Sequence, residues 1–441
     1  MKKINQWRLS HSLAGTLVTV CLATANPAAA AVLEATSQTL TQTDGAAVAL
    51  GDIDYDGDID AIVTGDWDSG GEYATQVWIN DGTGNFTQDT GHSLTSANDI
   101  ALVYIDNDRY LDAVVHHTDY DSSNPLMSPS EFRVWMNNGS GKLSDLGQAY
   151  GHDTDAYGAV AVEDLTGDGN DDLFAGHKGA ANHVFTIDSA GNLTDVGATP
   201  GTASTGAVAL GDVDGDGDAD AVVANQGFDD ELRVRLNDGS GAFSDSGQSL
   251  THPDGNEPHD VALADVDTDS DLDVIAVYDN GGSTRIWLND GSGNFSDSGT
   301  ALSHTGEATS LVVADVDNSY RNDLVIGTTD VVQLWMGDGA GQFTLVQTVD
   351  LMAEDLAVND LNTDGYSDVF VVAYDSATGQ TQNTVLLSTR QFPDLSSGGG
   401  SSGGSSGGSG SGSTDSGGGA MGPGLLAVAL LGLVGRRRRY R

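Results

Sequence analysis

The stretch "GDVDGDGDAD", residues 211–220, sets Asp212, Asp214, Asp216 and Asp218 at alternate positions and ends on Asp220. Taken alone, it reads equally as an ion-binding loop or as a solvated acidic turn. Its recurrence decides between them, because self-similarity at a fixed period marks a repeat architecture. "GDIDYDGDID" begins its acidic run at Asp52, "EDLTGDGNDD" at Asp164, "ADVDTDSDLD" at Asp265, "ADVDNSYRND" at Asp315 and "NDLNTDGYSD" at Asp360. A degenerate copy, "VYIDNDRYLD", stands in register at Tyr104. The copies follow one another at roughly 50-residue spacing. An insertion, residues 116–132, widens the interval between Tyr104 and Asp164.

Each copy has the same surroundings. A short apolar stretch such as "GAVAL" or "DVALA" precedes the acidic run, and another such as "DAVVAN" or "DVIAVY" follows it. Next comes an alternating strand that ends in a turn: "VWINDGTGNF", "VRLNDGSGAF", "IWLNDGSGNF", "LWMGDGAGQF". Asn-Asp-Gly runs tolerate the positive φ of tight hairpin turns. A fourth strand, "FSDSGQSL", completes the unit. Four short antiparallel strands per period predict an all-β, seven-bladed propeller. The stretch "LEATSQTL", residues 33–40, aligns with "FSDSGQSL", residues 243–250, and pairs Gln38 with Gln248. It reads as a fourth strand without its first three, while the last repeat lacks a fourth. The expectation is that it completes the last blade and covers the exposed edge. The rival is an open solenoid.

In a nine-residue loop, positions 1, 3 and 5 turn carboxylates inward, Gly at position 6 permits the bend, position 7 offers its carbonyl and position 9 closes the cage. Hard oxygen donors in a flexible shell suit Ca²⁺, whereas Zn²⁺ prefers His and Cys and Mg²⁺ demands a tight octahedron. Like charges ~4 Å apart cost about 1 kcal/mol per pair in water and about four times that near a protein surface. Converging carboxylates therefore call for a cation. Two copies are complete: Asp52, Asp54, Asp56 and Asp60 with Gly57, and Asp212, Asp214, Asp216 and Asp220 with Gly217. Asp265, Asp267, Asp269 and Asp273 keep four acids but place Ser270 at the bend. Asp164, Thr166, Asp168 and Asp172 trade a carboxylate for a hydroxyl, and Asp360, Asn362, Asp364 and Asp368 trade one for an amide. Asp315, Asp317, Ser319 and Asp323 have Tyr320 in place of Gly, which leaves a sixth site open. Position 7 is Asp58, Asn170, Asp218, Asp271 or Tyr366 in the five clearer copies. At Tyr104 no calcium is expected, and Arg109 is expected to pair with Asp106 and Asp112 instead.

These repeats resemble the FG-GAP/VCBS repeats of integrin α-type propellers, whose Asp-x-Asp-x-Asp-Gly-x-x-Asp loop joins the first two strands. The resemblance spans residues 31–395. EF-hand and dockerin loops share the start of the pattern but need flanking helices; thrombospondin type 3 repeats pack their acidic runs closer and use cysteines. The resemblance implies calcium loops on one face with a structural role, and partner binding on the opposite face.

Formal net charge is −48, from 65 acidic and 17 basic residues. Such a balance excludes nucleic acid as a partner, since phosphate binding needs a basic face. The one cysteine, Cys21, lies within residues 1–30, which read as a secretory signal peptide: basic start, short apolar run, "PAAAA". A mature chain without cysteine must find its stability elsewhere than in disulfides. Residues 396–419 are a Gly/Ser tether. Residues 420–441 join a short apolar run to "RRRRYR" and resemble the GlyGly-CTERM sorting signal, which implies trimming by a membrane protease at a Gram-negative surface.

No catalytic residue is assigned. His152, His252 and His304 each follow a fourth strand; with His116, His117, His177, His183 and His259 they read as loop residues on the face opposite the acidic loops. Trp78, Trp135, Trp287 and Trp335 recur in the third strand as packing residues, and Trp67 and Tyr73 are the weak ligand candidates. The expectation is an exported, monomeric binding or adhesion module for protein or glycan. The alternative is a surface polysaccharide lyase or hydrolase.

Overall fold

The computed structural model describes residues 31–392, apart from 43–44, 66, 69–70, 73–74, 93, 107, 119–129, 140, 149, 151–155, 202–203, 227–230, 279–281 and 376–379. The segments expected to be a signal peptide, a tether and a sorting signal lie outside the described residues, as do Tyr73, His152 and the middle of the 116–132 insertion. Strands make up the regular structure, with no helix among the described residues.

The acidic motif sets the phase of every sheet. In the copy at Asp212, Ser204–Gly211 enters the loop and Asp220–Gln226 leaves it; Leu232–Asn237 and Phe243–Leu250 complete an antiparallel meander. The other repeats fold the same way. Their first strands are Gly45–Gly51, Asp99–Val103, Ala156–Glu163, Pro258–Ala264, Ala308–Ala314 and Ala353–Asn359. We number the sheets one to seven in chain order, sheet four being the copy at Asp212. A single backbone pair, Lys178↔Ser204, bridges sheets three and four. No sheet closes on itself into a barrel.

The first strands pack side by side in chain order, and Ala353–Asn359 of sheet seven packs against Gly45–Gly51 of sheet one. Small side chains make this approach feasible: Ala47, Ala159 and Ala207 share one register position and are buried. The apolar core lies in layers between consecutive sheets. Ile62 and Val77 of sheet one meet Val115 and Trp135 of sheet two, and Val261 of sheet five joins Val222 and Val234 of sheet four. One layer joins the last sheet to the first, with Phe370 and Val385 against Val48, Trp78 and Phe86. Trp78, Trp135, Trp287 and Trp335 are all buried in such layers.

The N-terminal segment falls where its sequence places it. Leu33–Ala35 and Leu40–Gln42 both pair antiparallel with Gln380–Ser388, the third strand of sheet seven. Gln38 then reaches sheet one: its Nε2 donates to the Gly84 carbonyl and its Oε1 accepts from the Phe86 N–H at 2.7 Å. Its counterpart Gln248 makes the same pair of bonds from sheet four to Gly293 and Phe295 of sheet five.

Polar side chains also tie neighbouring sheets near the first strands. Asp99 accepts from the Val160 N–H, Asp260 from Leu311 and Asp355 from Val48, at 3.0, 2.8 and 2.9 Å. The last bond runs from sheet seven to sheet one.

Candidate metal centres

The acidic loops share one backbone shape. Position 6 has positive φ in every copy: Gly57, Gly169, Gly217 and Gly365, but also Arg109 (82°), Ser270 (78°) and Tyr320 (63°). An L-residue in that region costs roughly 1–2 kcal/mol, so the loop imposes the bend even where glycine is absent. The turn is held by its own acids. The position 1 carboxylate accepts from the N–H of position 6: Asp52 from Gly57, Asp164 from Gly169, Asp212 from Gly217, and Asp265 from Ser270. Asp315 and Asp360 do the same with Tyr320 and Gly365. Position 5 accepts from position 7, as Asp56 does from Asp58, Asp216 from Asp218 and Asp269 from Asp271.

Four loops gather three carboxylates whose oxygens lie within 4.8 Å of one another: Asp52, Asp54 and Asp60; Asp212, Asp214 and Asp220; Asp265, Asp267 and Asp269; Asp315, Asp317 and Asp323. The last is the copy with Tyr320 at the bend, so that substitution does not prevent convergence. In three of them the position 3 acid has a buried oxygen without a hydrogen-bond partner: Oδ1 of Asp54, Asp267 and Asp317. Burial, and then the neighbouring Asp56 and Asp52 charges, hold the Asp54 carboxyl above its usual range; Asp214 is raised in the same way by burial and Asp216. An unpartnered buried oxygen beside like charges is the donor set a hard cation completes.

The loops at Asp164 and Asp360 form no such three-carboxylate cluster among the described residues. There Thr166 and Asn362 stand at position 3. In the last loop Arg390 takes Asp364 instead, with Nη2 and Nε at 3.0 and 3.1 Å from its Oδ2. The same guanidinium lies over the Tyr366 ring. A guanidinium therefore does enter an acidic loop, but it is not Arg109. That residue is exposed and sits at the bend, while Asp112 is satisfied by backbone N–H groups.

Position 9 has a second task that the spacing did not reveal. Asp60, Asp112, Asp220, Asp273, Asp323 and Asp368 are buried, and each accepts at least two backbone bonds. One comes from position 2 of its own loop (Ile53 to Asp60, 2.9 Å; Ile105 to Asp112, 3.0 Å), the other from the end of the third strand (Asn80, 2.8 Å; Asn137, 2.7 Å). Burial pushes Asp60, Asp323 and Asp368 up to about 7, and Asp112, Asp172, Asp220 and Asp273 up to about 6. At position 7 the carboxylates of Asp58, Asp218 and Asp271 face Gly82, Gly239 and Gly291 of the hairpins, where a Cβ would stand 2.5 Å from an oxygen. Asn170 bonds back to Asp168.

The asparagine of the "NDG" turn is also more than a turn residue. Asn80 Nδ2 bonds the Leu361 carbonyl of sheet seven, Asn137 that of Ile53, Asn237 that of Leu165 and Asn289 that of Val213. Each reaches position 2 of the preceding acidic loop. The "NDG" sequence signals only the hairpin; its repetition in register is the one hint of this staple.

The histidines depart from expectation. His116, His117, His177 and His252 are buried rather than displayed on loops. Burial, and then Lys178 and His117, push His116 down to about 3, so it is neutral. His117 Nδ1 lies 2.6 Å from the Ser96 carbonyl, and His183 is bonded to Asp195. No three-histidine cluster forms among the described residues. The side chain of Trp67 falls outside what is described.

The model of the FG-GAP-like repeat matches residues 164–223, 212–276 and 265–326, so this part of the chain carries three such repeats. No curated protein matches the chain. Among solved structures, BBS1N in complex with ARL6DN, soaked with mercury, is 11% identical with a TM-score of 0.56, covering 82% of this chain and 99% of that one. A lead-soaked form gives 12%, 0.54, 81% and 98%. A lectin of Agrocybe aegerita, described as recognising non-reducing terminal N-acetylglucosamine, is 18% identical over 71% of this chain and 81% of its own, with a TM-score of 0.47. The two BBS1N structures are propeller-like, and at such identities the likeness concerns the fold.

Proposed function

We propose that the chain is an exported, seven-bladed β-propeller whose acidic loops hold calcium and whose opposite face binds a protein or glycan at the cell surface. The calcium reading is carried by the unpartnered buried oxygens of Asp54, Asp267 and Asp317 inside convergent carboxylate clusters. Four loops gather three carboxylates each, and the loop at Asp164 carries Asp164, Asp168 and Asp172 with the Thr166 hydroxyl. The loop at Asp360, with Arg390 on Asp364, is the weakest. Ring closure is supported by the packing of sheet seven on sheet one and by bonds between them that include Asp355 to Val48, Asn80 to Leu361 and Gln38 to Phe86. A structural role for the ions follows from charge. At −48, a compact chain repels itself unless cations neutralise part of it.

The reading of the two ends as an export signal and a protease-trimmed sorting signal rests on sequence, and the mass of the mature C-terminus tests it. Thermal melting with saturating calcium and then with excess EGTA tests the central claim. The melting temperature should drop sharply in EGTA and return with calcium but not with magnesium. An unchanged melt would remove calcium from the account.

A further inference from the structure

Between sheets three and four, at the end remote from the acidic loops, lies a small, part-open cleft lined by Asn182, Gly201, Thr205, Asn225 and Arg235 among others. Arg235 is out of pattern. It pairs with Ala221 at the third-strand position where sheets one, two, five and six carry Trp78, Trp135, Trp287 and Trp335, and sheet three carries Phe185. The position faces the preceding sheet in the apolar layer, and Arg235 is 5% exposed there. A buried guanidinium is costly unless its donors are used. Its Nη1 is paired with Asp245 Oδ2, while its buried Nε has no hydrogen-bond partner.

The rest of the lining is turned the same way. Asn225 Oδ1 accepts from Thr205 Oγ1 at 3.1 Å, and Asn182 Oδ1 accepts from the His177 N–H at 2.8 Å. Both amides therefore have their acceptor ends occupied, which leaves the –NH₂ ends as the free donors. Gly201, at φ +102°, lets the linker pass Arg235: a Cβ there would stand 2.9 Å from Nη2. The pairing with Asp245 leaves the edge formed by Nε and Nη2, two parallel N–H donors that match the two oxygens of a carboxylate.

We propose that this cleft binds a small carboxylate, held side-on by Arg235 and by the amide nitrogens of Asn182 and Asn225. The inference deepens the binding-module reading by naming a ligand class, and it does not depend on the calcium loops. The test is calorimetric titration of the full chain at saturating calcium with sodium acetate, sodium galacturonate, sodium sulfate and neutral galactose. Acetate and galacturonate should each bind one saturable site, sulfate more weakly, and galactose not at all. Arg235→Gln should weaken acetate binding by about tenfold or more, the loss expected for a charge-assisted pair. Because that substitution sits in a core layer, Asn182→Ala with Asn225→Ala serves as the second variant. It should weaken binding while keeping the calcium-dependent melt, so that loss of the site is separated from loss of the fold. The proposal is overturned if acetate shows no saturable binding to a chain with a normal calcium-dependent melt. Equal affinity in either variant, or sulfate binding tighter than acetate, overturns it as well.

Discussion

Asp112 and Asp54 separate two uses of a carboxylate that the motif merges. Asp112 belongs to the loop that has lost its position 1 acid, yet it keeps the two backbone bonds made by its counterparts, from Ile105 and Asn137. Removing it strands two buried N–H groups, each worth about 1–3 kcal/mol. Asp54 instead carries an oxygen without a partner, beside Asp52 and Asp60. In urea unfolding, Asp112→Ala should therefore cost about 2–6 kcal/mol equally with calcium and with EGTA. Asp54→Asn should be destabilising in calcium and neutral or stabilising in EGTA, where it relieves repulsion. The same response of both variants to calcium would refute this division.

Asp260 gives a second test, independent of the loops. Burial pushes it up to about 7, with Asp355 adding repulsion against the bonds from Leu311 and Val261 and the nearby His259. Asp99, buried likewise, is raised well above its ordinary value, with Asp355 and Asp260 contributing. A carboxyl raised from 3.8 when folded binds more protons in the folded than in the unfolded chain. Its contribution to stability is complete below 3.8 and is lost as pH rises through about 7. At saturating calcium the melting temperature should thus fall over that window, and less steeply in Asp260→Asn. Parallel pH profiles for the two proteins would argue against a buried acid at this position.

At the scale of strands and loops, the period of the acidic motif made the fold readable, because each copy marks the same corner of a sheet. The N-terminal strand was readable too, since Gln38 aligned with Gln248 and both clamp the next sheet. What stayed hidden shares one physical cause. Asp99, Asp260, Asp355, Asn80 and Arg235 act across sheets, on residues 51 to 307 positions away or on a ligand, and such partners leave no local pattern. The buried histidines were misread for the same reason, since burial depends on which sheet arrives next. Only Arg235 carried a local signal: "VRLN" where sheets one, two and five read "VWIN", "VWMN" and "IWLN". For the clamp, Gln38→Ala should lower unfolding stability by about 1–3 kcal/mol, from two lost bonds to sheet one. Gln248→Ala should match it, since it breaks the same pair of bonds between sheets four and five. A silent Gln38→Ala beside a costly Gln248→Ala would mean that the N-terminal strand is not held as the others are.

For the whole molecule, the question is whether the repeats form a ring or a row. In a row, each repeat contacts only its neighbours, stability is a sum of local terms, and an end repeat can be removed at proportionate cost. In a ring, no sheet is an end. Sheet seven contacts sheet six through Gln347, which accepts from the Val32 and Leu33 N–H groups, and it contacts sheet one through Asp355, Leu361 and Gln38. Deleting residues 351–392 would expose apolar layers on both flanks and leave residues 31–42 without Gln380–Ser388 to pair with. The truncated chain should lose its cooperative thermal transition, aggregate or be digested at once by protease, and gain nothing from calcium. Calorimetry of the two chains decides it. A truncated protein that still melts cooperatively, with an enthalpy reduced only in proportion to the residues removed, would make the molecule an open stack and the last-to-first contacts dispensable.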